Sequence, residues 1–508
     1  MSFPLGPAVF LSCAVAVLVT KFLKNRGRHP LPPGPRGLPL IGNALQLPVD
    51  HEWFTFAKWG KLYGGVVYVS AFGRPLIILN STKAITDLLE KRSGIYSDRP
   101  VLPMAGEMVG YRDSVPLCPY GARHRESRKL MHGGLALSKM EELFPVQEQK
   151  MRDFLHSLLT APEKLPLHIR QVVAAIVFQI SHGYTVRDDN DPLVELAERA
   201  TLEFSLATAP GAFVVDLLPV LQYIPDWFPG AGFKKTAKAW RQTAIRLKDD
   251  PYEHIKEQVE KGVAVPSFTT SLVERNANPT PEEEDIYKWA SAGFYSGGAD
   301  TSVSAISSFF LAMVLHPDVQ RKARDELIRV VGSGRLPTFK DRDRLPYINA
   351  LLKEVLRWNP VAPLALPHRL IQDDVYEGYH LPAGSIVFAN TWGIFKDPDL
   401  YPSPDEFKPE RYLSSDSGAV PDPRSFAFGY GRRICPGQHL ADATLYLTIV
   451  STLFLYEITN ATDKKTGLPI IPVPNYKAGV ICHPEEYECL IKPVYSEAET
   501  LTLLRKGL

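Results

Sequence analysis

The chain is poor in cysteine, with five in 508 residues: Cys13, Cys118, Cys435, Cys482 and Cys489. None forms a Cys-x-x-Cys pair, which argues against a disulfide scaffold, a zinc ribbon and an iron–sulfur centre. Net charge is nearly absent at +1, so there is no basic footprint for nucleic acid. Repeats and low-complexity tracts are absent too. The dinucleotide fingerprint GxGxxG is incomplete, because Gly332-Ser-Gly334 lacks its third glycine. Any redox chemistry here must therefore take its electrons from another protein. The 44 prolines are scattered through apolar sequence, which fits long ordered loops between helices.

Acidic residues are missing from the first 49 positions, and this absence organises the N-terminus. Leu5 to Leu23 is apolar apart from Lys21, and about 19 helical residues match the thickness of a bilayer core. Lys21, Lys24, Arg26 and Arg28 cluster at its C-terminal end, and the positive-inside rule then leaves the rest of the chain cytosolic. A cleaved signal peptide is the alternative, but no basic residue precedes the apolar run and no clear cleavage site follows it. Residues 1–28 are thus expected to be a transmembrane signal anchor with a basic flank, and the proline-rich 29–43 a stiff hinge. Leu38, Leu40 and Ile41 of that hinge are candidates to pack back on the body. Residues 44–508 are expected to form one large domain, mainly α with a small β-sheet region. Strand signals lie at Val66 to Asn80, read as a hairpin around Gly73, at Ser385 to Ala389, and in the last forty residues.

One helix stands out. Thr280 is placed as its N-cap, Pro281 in its first turn and Glu283 as the partner in a capping box, and Pro317 stops it. Gly297 and Gly298 sit near its middle, where each costs about 1 kcal/mol relative to alanine. Gly293, Gly297, Thr301 and Ala305 recur every fourth residue and so make one stripe of small side chains. Such a stripe suits either a flat ligand or a closely packed helix. Asp300 beside Thr301, an acid next to an alcohol, favours chemistry.

The segment Phe426 to Leu440, "FAFGYGRRICPGQHL", holds Cys435 just before a long apolar run. Pro436 suggests that the cysteine stands at a helix N-terminus, where the dipole favours a thiolate. Gly431 and Gly437 are expected to let a large partner approach the sulfur, with Arg433 as a nearby cation. A thiolate with clear approach and apolar backing is what an axial haem ligand requires. The pattern FxxGxRxCxG, made by Phe428, Gly431, Arg433, Cys435 and Gly437, arises by chance on the order of 1 in 10,000 times in such a chain. It resembles the haem-binding loop of the cytochrome P-450 family. The ExxR pair Glu354 and Arg357, then Arg411 in "FKPERY", and "GGADTS" in the long helix follow that family in order, over essentially the whole chain. The wording of "YSDRP" and "WFPGAGFKK" is similar to its microsomal fungal, basidiomycete-like branch.

The resemblance implies the P-450 fold, a haem b ligated through its iron by Cys435, and a mechanism. Phe428, Gly437, Arg433, Arg128, His124 and His368 would hold the cofactor. Arg433, Arg128 and His368 would face its propionates. His124 stands where the family usually has tryptophan, and a lone surface histidine is its plainer reading. Asp300 and Thr301 would deliver protons while one atom of O2 enters a hydrophobic, ring-containing substrate of secondary metabolism or foreign origin. NADPH would act indirectly, through a membrane-bound P-450 reductase, with a cytochrome b-type protein as a further donor. Arg424 and Arg432 would help dock the reductase, or are simply solvated. The expected location is the endoplasmic reticulum membrane, single-pass, with the catalytic domain cytosolic. Phe294, Tyr295, Met104, Met108 and Val361 to Leu366 are expected around the substrate, and the apolar stretch 209–233 at the access channel; core packing explains each residue as well. Two other activities share the haem-thiolate motif: an isomerase or dehydratase that needs no O2, which tends to lose the acid–alcohol pair, and a non-catalytic sensor, indifferent to Thr301.

Overall fold

The computed structural model describes residues 29–187, 191–413 and 420–506. The expected anchor at 1–28 lies outside these residues. The elements that matter for the site are α1 (Glu52–Tyr63), β1 (Val66–Ala71), β2 (Arg74–Leu79), α2 (Ala122–Leu135), α3 (Met140–Thr160), α4 (Leu165–His182), α5 (Pro192–Thr208), α6 (Gly232–Glu260), α7 (Pro281–Leu315), α8 (Pro317–Val331) and α9 (Pro346–Trp358). They continue with β3 (His368–Arg369), β4 (Asp374–Tyr376), β5 (Tyr379–Leu381), β6 (Ile386–Ala389), α10 (Gln438–Leu455), β7 (Tyr456–Thr462), β8 (Pro469–Ile470) and β9 (Cys489–Pro493).

The long helix α7 begins as expected. Thr280 accepts from the Glu283 N–H, and the Glu283 carboxylate takes the Thr280 N–H at 2.8 Å. It runs 35 residues through the centre, packed by α2, α4, α5, α6 and α10. It is apolar and long enough to cross a membrane, but these neighbours make it the core of the domain. Gly298 answers to packing, since a Cβ there would stand 3.1 Å from Val177 on α4. A Cβ on Gly293 would meet Val115 at 3.1 Å. Gly297 differs from both, because nothing lies within 4 Å of where its Cβ would be. The two readings of the small-residue stripe thus divide between adjacent glycines.

The principal sheet is ordered β1-β2-β6-β3. β1 and β2 form the hairpin expected around Gly73, with Val66 opposite Leu79 and Ala71 opposite Arg74. Phe72 and Gly73 both take positive φ, as a two-residue hairpin turn requires. β6 runs parallel to β2, and His368 on β3 pairs with Val387 on β6. The strand β7 was not foreseen: its Tyr456 follows directly on the apolar run of α10, so hydrophobicity alone marks no boundary between them. The 29–43 segment lies along the sheet, with the Pro33 carbonyl accepting from Tyr68 N–H at 3.0 Å and the Pro30 carbonyl from His380 N–H at 2.7 Å. Proline lacks a donor but keeps its acceptor, so this strip can bond without being a strand. Leu38 and Leu40 do not pack back as expected; they are 51% and 97% exposed.

Glu354 and Arg357 on α9 are both fully buried and joined twice, Nε to Oε2 and Nη2 to Oε1, each at 2.8 Å. Arg411 adds its Nε at 3.1 Å from Oε2, and the Lys408 N–H donates to Oε1 at 2.8 Å. The guanidiniums spend their other donors on the carbonyls of Phe395, Pro402, Pro404 and Glu406. This cluster ties α9 to the 395–411 meander.

Candidate active site

A cavity of about 350 Å3 separates the Cys435 loop from the stripe on α7. Gly293, Gly297, Thr301 and Ala305 line one wall; Phe428, Gly429, Arg433, Cys435, Pro436 and Gly437 line the other. Residues more than a hundred apart in sequence thus converge. The loop is closed by the Cys435 N–H donating to the Phe428 carbonyl at 2.7 Å, and Gly429 supports the turn at φ +78°.

Two details of the loop correct the reading from sequence. α10 starts at Gln438 with Gly437 as N-cap, so Cys435 and Pro436 precede the helix and are not in its first turn. Burial pushes the Cys435 thiol up, opposed by a hydrogen bond from the Gly437 backbone and by the Arg128 charge. Gly431 serves packing and not approach to the sulfur: it has φ +55°, and a Cβ there would fall 2.1 Å from the Leu89 carbonyl oxygen.

One end of the cavity is cationic. Arg433 donates to the carbonyls of Ser97 at 2.6 Å and Cys118 at 2.7 Å, and Arg128 donates to the carbonyl of Ile434. His368 Nδ1 bonds the Tyr96 carbonyl at 2.7 Å. His124 is buried, and its Nδ1 has no partner. Arg99 joins them, holding the carbonyls of Leu366 and Pro367 at 2.7 and 2.8 Å. Sequence reasoning missed Arg99, which sits in a loop without periodicity, although the "YSDRP" segment that contains it was noticed. Burial and the Arg433 charge lower Arg99 to about 9, and burial with the surrounding guanidiniums holds His124 and His368 at about 3. The two carboxylates lining the cavity do not balance these charges, for Asp442 is paired with Arg342 and Arg424, and Asp300 with His483. Two buried guanidiniums, a half-buried third and an unpartnered imidazole suit a dianionic group, such as the two propionates of haem.

The pairing of Arg424 with Asp442 at 2.7 Å and Asp422 at 3.4 Å leaves it engaged within the fold, against the docking role considered for it. Arg432 is exposed and lies over the Tyr120 ring. Phe294, Val361, Ala362, Ala365 and Leu366 line the cavity as expected. Tyr295 does not: one residue on from Phe294, it turns away and stacks on Phe178 at 3.7 Å. Met104 and Met108 pack with the core.

Comparison with known proteins settles the family. The family model for cytochrome P450 matches residues 32–490. The chain belongs to the cytochrome P450 family. It is 45% identical to cytochrome P450 monooxygenase 208 of Postia placenta, an alignment covering 96% of each chain. It is also 45% identical to cytochrome P450 monooxygenase claR of Ampulloclitocybe clavipes over 94% of this chain and 89% of that one. Tryptamine 4-monooxygenase of Psilocybe cyanescens is 39% identical over 92% of this chain and 93% of its own. This P450 is accordingly a haem-thiolate monooxygenase, an oxidoreductase that incorporates molecular oxygen with electrons from NADPH supplied by a reductase.

The buried imidazoles of this P450 have a consequence for the haem-free protein. His124, His182 and His368 are each depressed to about 3, mainly by burial. An unfolded chain binds protons at these sites below its ordinary histidine value near 6.5, whereas the folded chain does not. Their contribution is therefore complete above about pH 6.5 and lost as pH falls toward 3. The haem-free chain is expected to unfold at lower denaturant at pH 5 than at pH 7, and His182→Gln, remote from the cationic end, to narrow the difference.

Proposed function

We propose that this P450 oxidises a hydrophobic, ring-containing small molecule, using Cys435 as iron ligand and the Asp300–Thr301 pair as the proton route. The carrying observation is the cavity itself, bounded by the Cys435 loop on one side and by Gly297 and Thr301 on the other. Bound haem supplies the iron at which dioxygen is reduced and activated. The protein's part is to hold the cofactor's carboxylates with Arg99, Arg128, Arg433 and His124, beside His368 whose Nδ1–H is spent on the Tyr96 carbonyl, and to bring protons to the α7 side. Thr301 Oγ1 donates to the Gly297 carbonyl at 2.8 Å, which fixes its rotamer and turns its lone pairs to an incoming donor. Asp300, a third exposed, takes protons from solvent. The roof offers Trp289, Phe294, Phe204, Val177, Val361 and Leu366 to an apolar guest.

Thr301→Ala is expected to keep the haem spectrum and NADPH consumption but lower product per NADPH by roughly tenfold or more, with the missing electrons recovered as hydrogen peroxide. Microsomes with this chain, a reductase, NADPH and labelled dioxygen, given sesquiterpenes, indoles, flavonoids and polycyclic aromatics, are expected to yield a product heavier by one labelled oxygen. A product that forms equally without dioxygen would refute the proposal.

The domain plan is part of the same reading: anchor at 1–28, hinge at 29–43, haem domain at 44–508, held single-pass in the endoplasmic reticulum membrane with the domain cytosolic. A row of exposed apolar residues supports it. Val214, Val220, Tyr223, Trp227 and Phe228 face outward, and Leu217 from the same stretch packs on the same core cluster as Ala44 and Leu47 of the N-terminal segment. Leu38 and Leu40 are exposed near where the anchor would join. A membrane-bound reductase, with a cytochrome b-type donor as a second source, would approach the Cys435-loop side at Arg432.

A further inference from the structure

Asp300 is held from outside the helix that carries it. His483 Nε2 lies 3.0 Å from Asp300 Oδ1. Nε2 is the ring atom that faces the carboxylate, a close contact of an imidazole nitrogen with a carboxylate oxygen. The contact does not join two loose side chains, because the residue before His483 is gripped from both sides. The Cys482 N–H donates to the Val361 carbonyl at 2.9 Å, and the Cys482 carbonyl accepts from Ser304 Oγ, one helical turn beyond Asp300. The loop is fastened to α7 twice more, by Tyr476 OH to Ser308 Oγ at 3.2 Å and Tyr487 OH to the Ser307 carbonyl at 2.7 Å. Within the loop the His483 carbonyl accepts from Lys477 N–H at 2.8 Å. Val480 and Ile481 of the same loop line the cavity.

We propose that His483 is a positioning residue for proton delivery. Its imidazole, carried on the clamped loop, fixes the Asp300 carboxylate at the solvent edge of the cavity beside Thr301, and ties that carboxylate to a wall that substrate touches. This rests on the reading of Asp300 and Thr301 as the proton-delivering pair. An untethered aspartate samples several staggered rotamers, whereas one whose Oδ1 rests against a fixed imidazole is held in one and leaves Oδ2 to take a proton from water. The imidazole ends each cycle in the protonation state in which it began.

The test uses the full-length, haem-loaded chain with a reductase and NADPH in phosphatidylcholine vesicles, with no organic substrate added. Hydrogen peroxide and water formed from dioxygen are measured, as is the solvent deuterium isotope effect on NADPH oxidation. His483→Phe is expected to raise the peroxide-to-water ratio at least twofold and to enlarge the isotope effect, with the ferrous–CO band unchanged. His483→Gln, which keeps a donor of similar reach, is expected to restore both, and His483→Asn, which is too short, is not. His483→Phe combined with Asp300→Asn is expected to match Asp300→Asn alone. In a crystal structure of His483→Phe, the Asp300 side chain is expected in a new or divided conformation. An unchanged Asp300 conformer, a wild-type ratio in His483→Phe, or additivity with Asp300→Asn overturns the inference. If Asp300→Asn itself leaves the ratio untouched, the reading of the pair falls and takes this inference with it. If only Asp300→Asn acts, that reading stands and this inference alone falls. Where His483→Phe fails to bind haem, the glutamine and asparagine variants carry the comparison.

Discussion

Cys435→Ser is expected to abolish the thiolate-type ferrous–carbon monoxide band and, with it, turnover. The substitution is close to isosteric, and the contacts that shape the loop are backbone ones: Cys435 N–H to the Phe428 carbonyl, and Arg128 to the Ile434 carbonyl. The loop should therefore keep its form. What changes is the donor atom. A buried thiol, already pushed up by its surroundings, still ionises on binding iron, helped by the Gly437 N–H and the Arg128 charge. A serine hydroxyl gives a harder and far more basic oxygen, which does not supply the same electron density to the iron. The reduced carbon monoxide difference spectrum measures this directly, beside total haem by extraction. A variant that binds haem and keeps the thiolate-type band would show that another residue is the ligand.

Glu354→Ala is expected to be as severe, by a different route. The carboxylate is fully buried and holds two arginines at once, and both guanidiniums stay in place when it is removed. Breaking a buried pair by deleting one partner costs about 3–5 kcal/mol, because a charge is left uncompensated out of water. That is a large part of the stability of a typical domain. The chain is expected to accumulate poorly and to bind little haem, read as carbon monoxide-reactive P450 per total protein. Glu354→Gln keeps hydrogen-bond acceptance toward one arginine and is expected to fall between. A Glu354→Ala chain of normal haem content would show that the α9 cluster is dispensable.

Much of the site was legible because its determinants are local. The capping box of α7, the four-residue stripe and the Cys435 loop each lie within a short window, where spacing translates directly into geometry. The ligand wall and the packing wall were not separable, since Gly297 and Gly298 are chemically identical and only the neighbour, open cavity or Val177, tells them apart. Tyr295 was misplaced through rotation about a helix, Arg99 lay in a loop without a period, and β7 was hidden behind the apolar run of α10. The Asp300–His483 contact joins segments far apart in sequence, and nothing near either residue announces the other.

The cavity wall draws on Arg99 near one end of the chain and Ile481 near the other. Translation delivers these segments in order, so the first arginine emerges long before the cysteine loop and the last wall segment exist. At about 5–20 residues per second, the interval is roughly 20–80 s. Until residues 368 and 433 are made, Arg99, His124 and Arg128 lack His368 and Arg433, and until α10 is made α7 has an apolar face without that partner. A pocket lined from Arg99 to Ile481 can therefore close around its cofactor only after nearly all of these residues have been made, so its assembly is coupled to completion of the fold and not to any one segment.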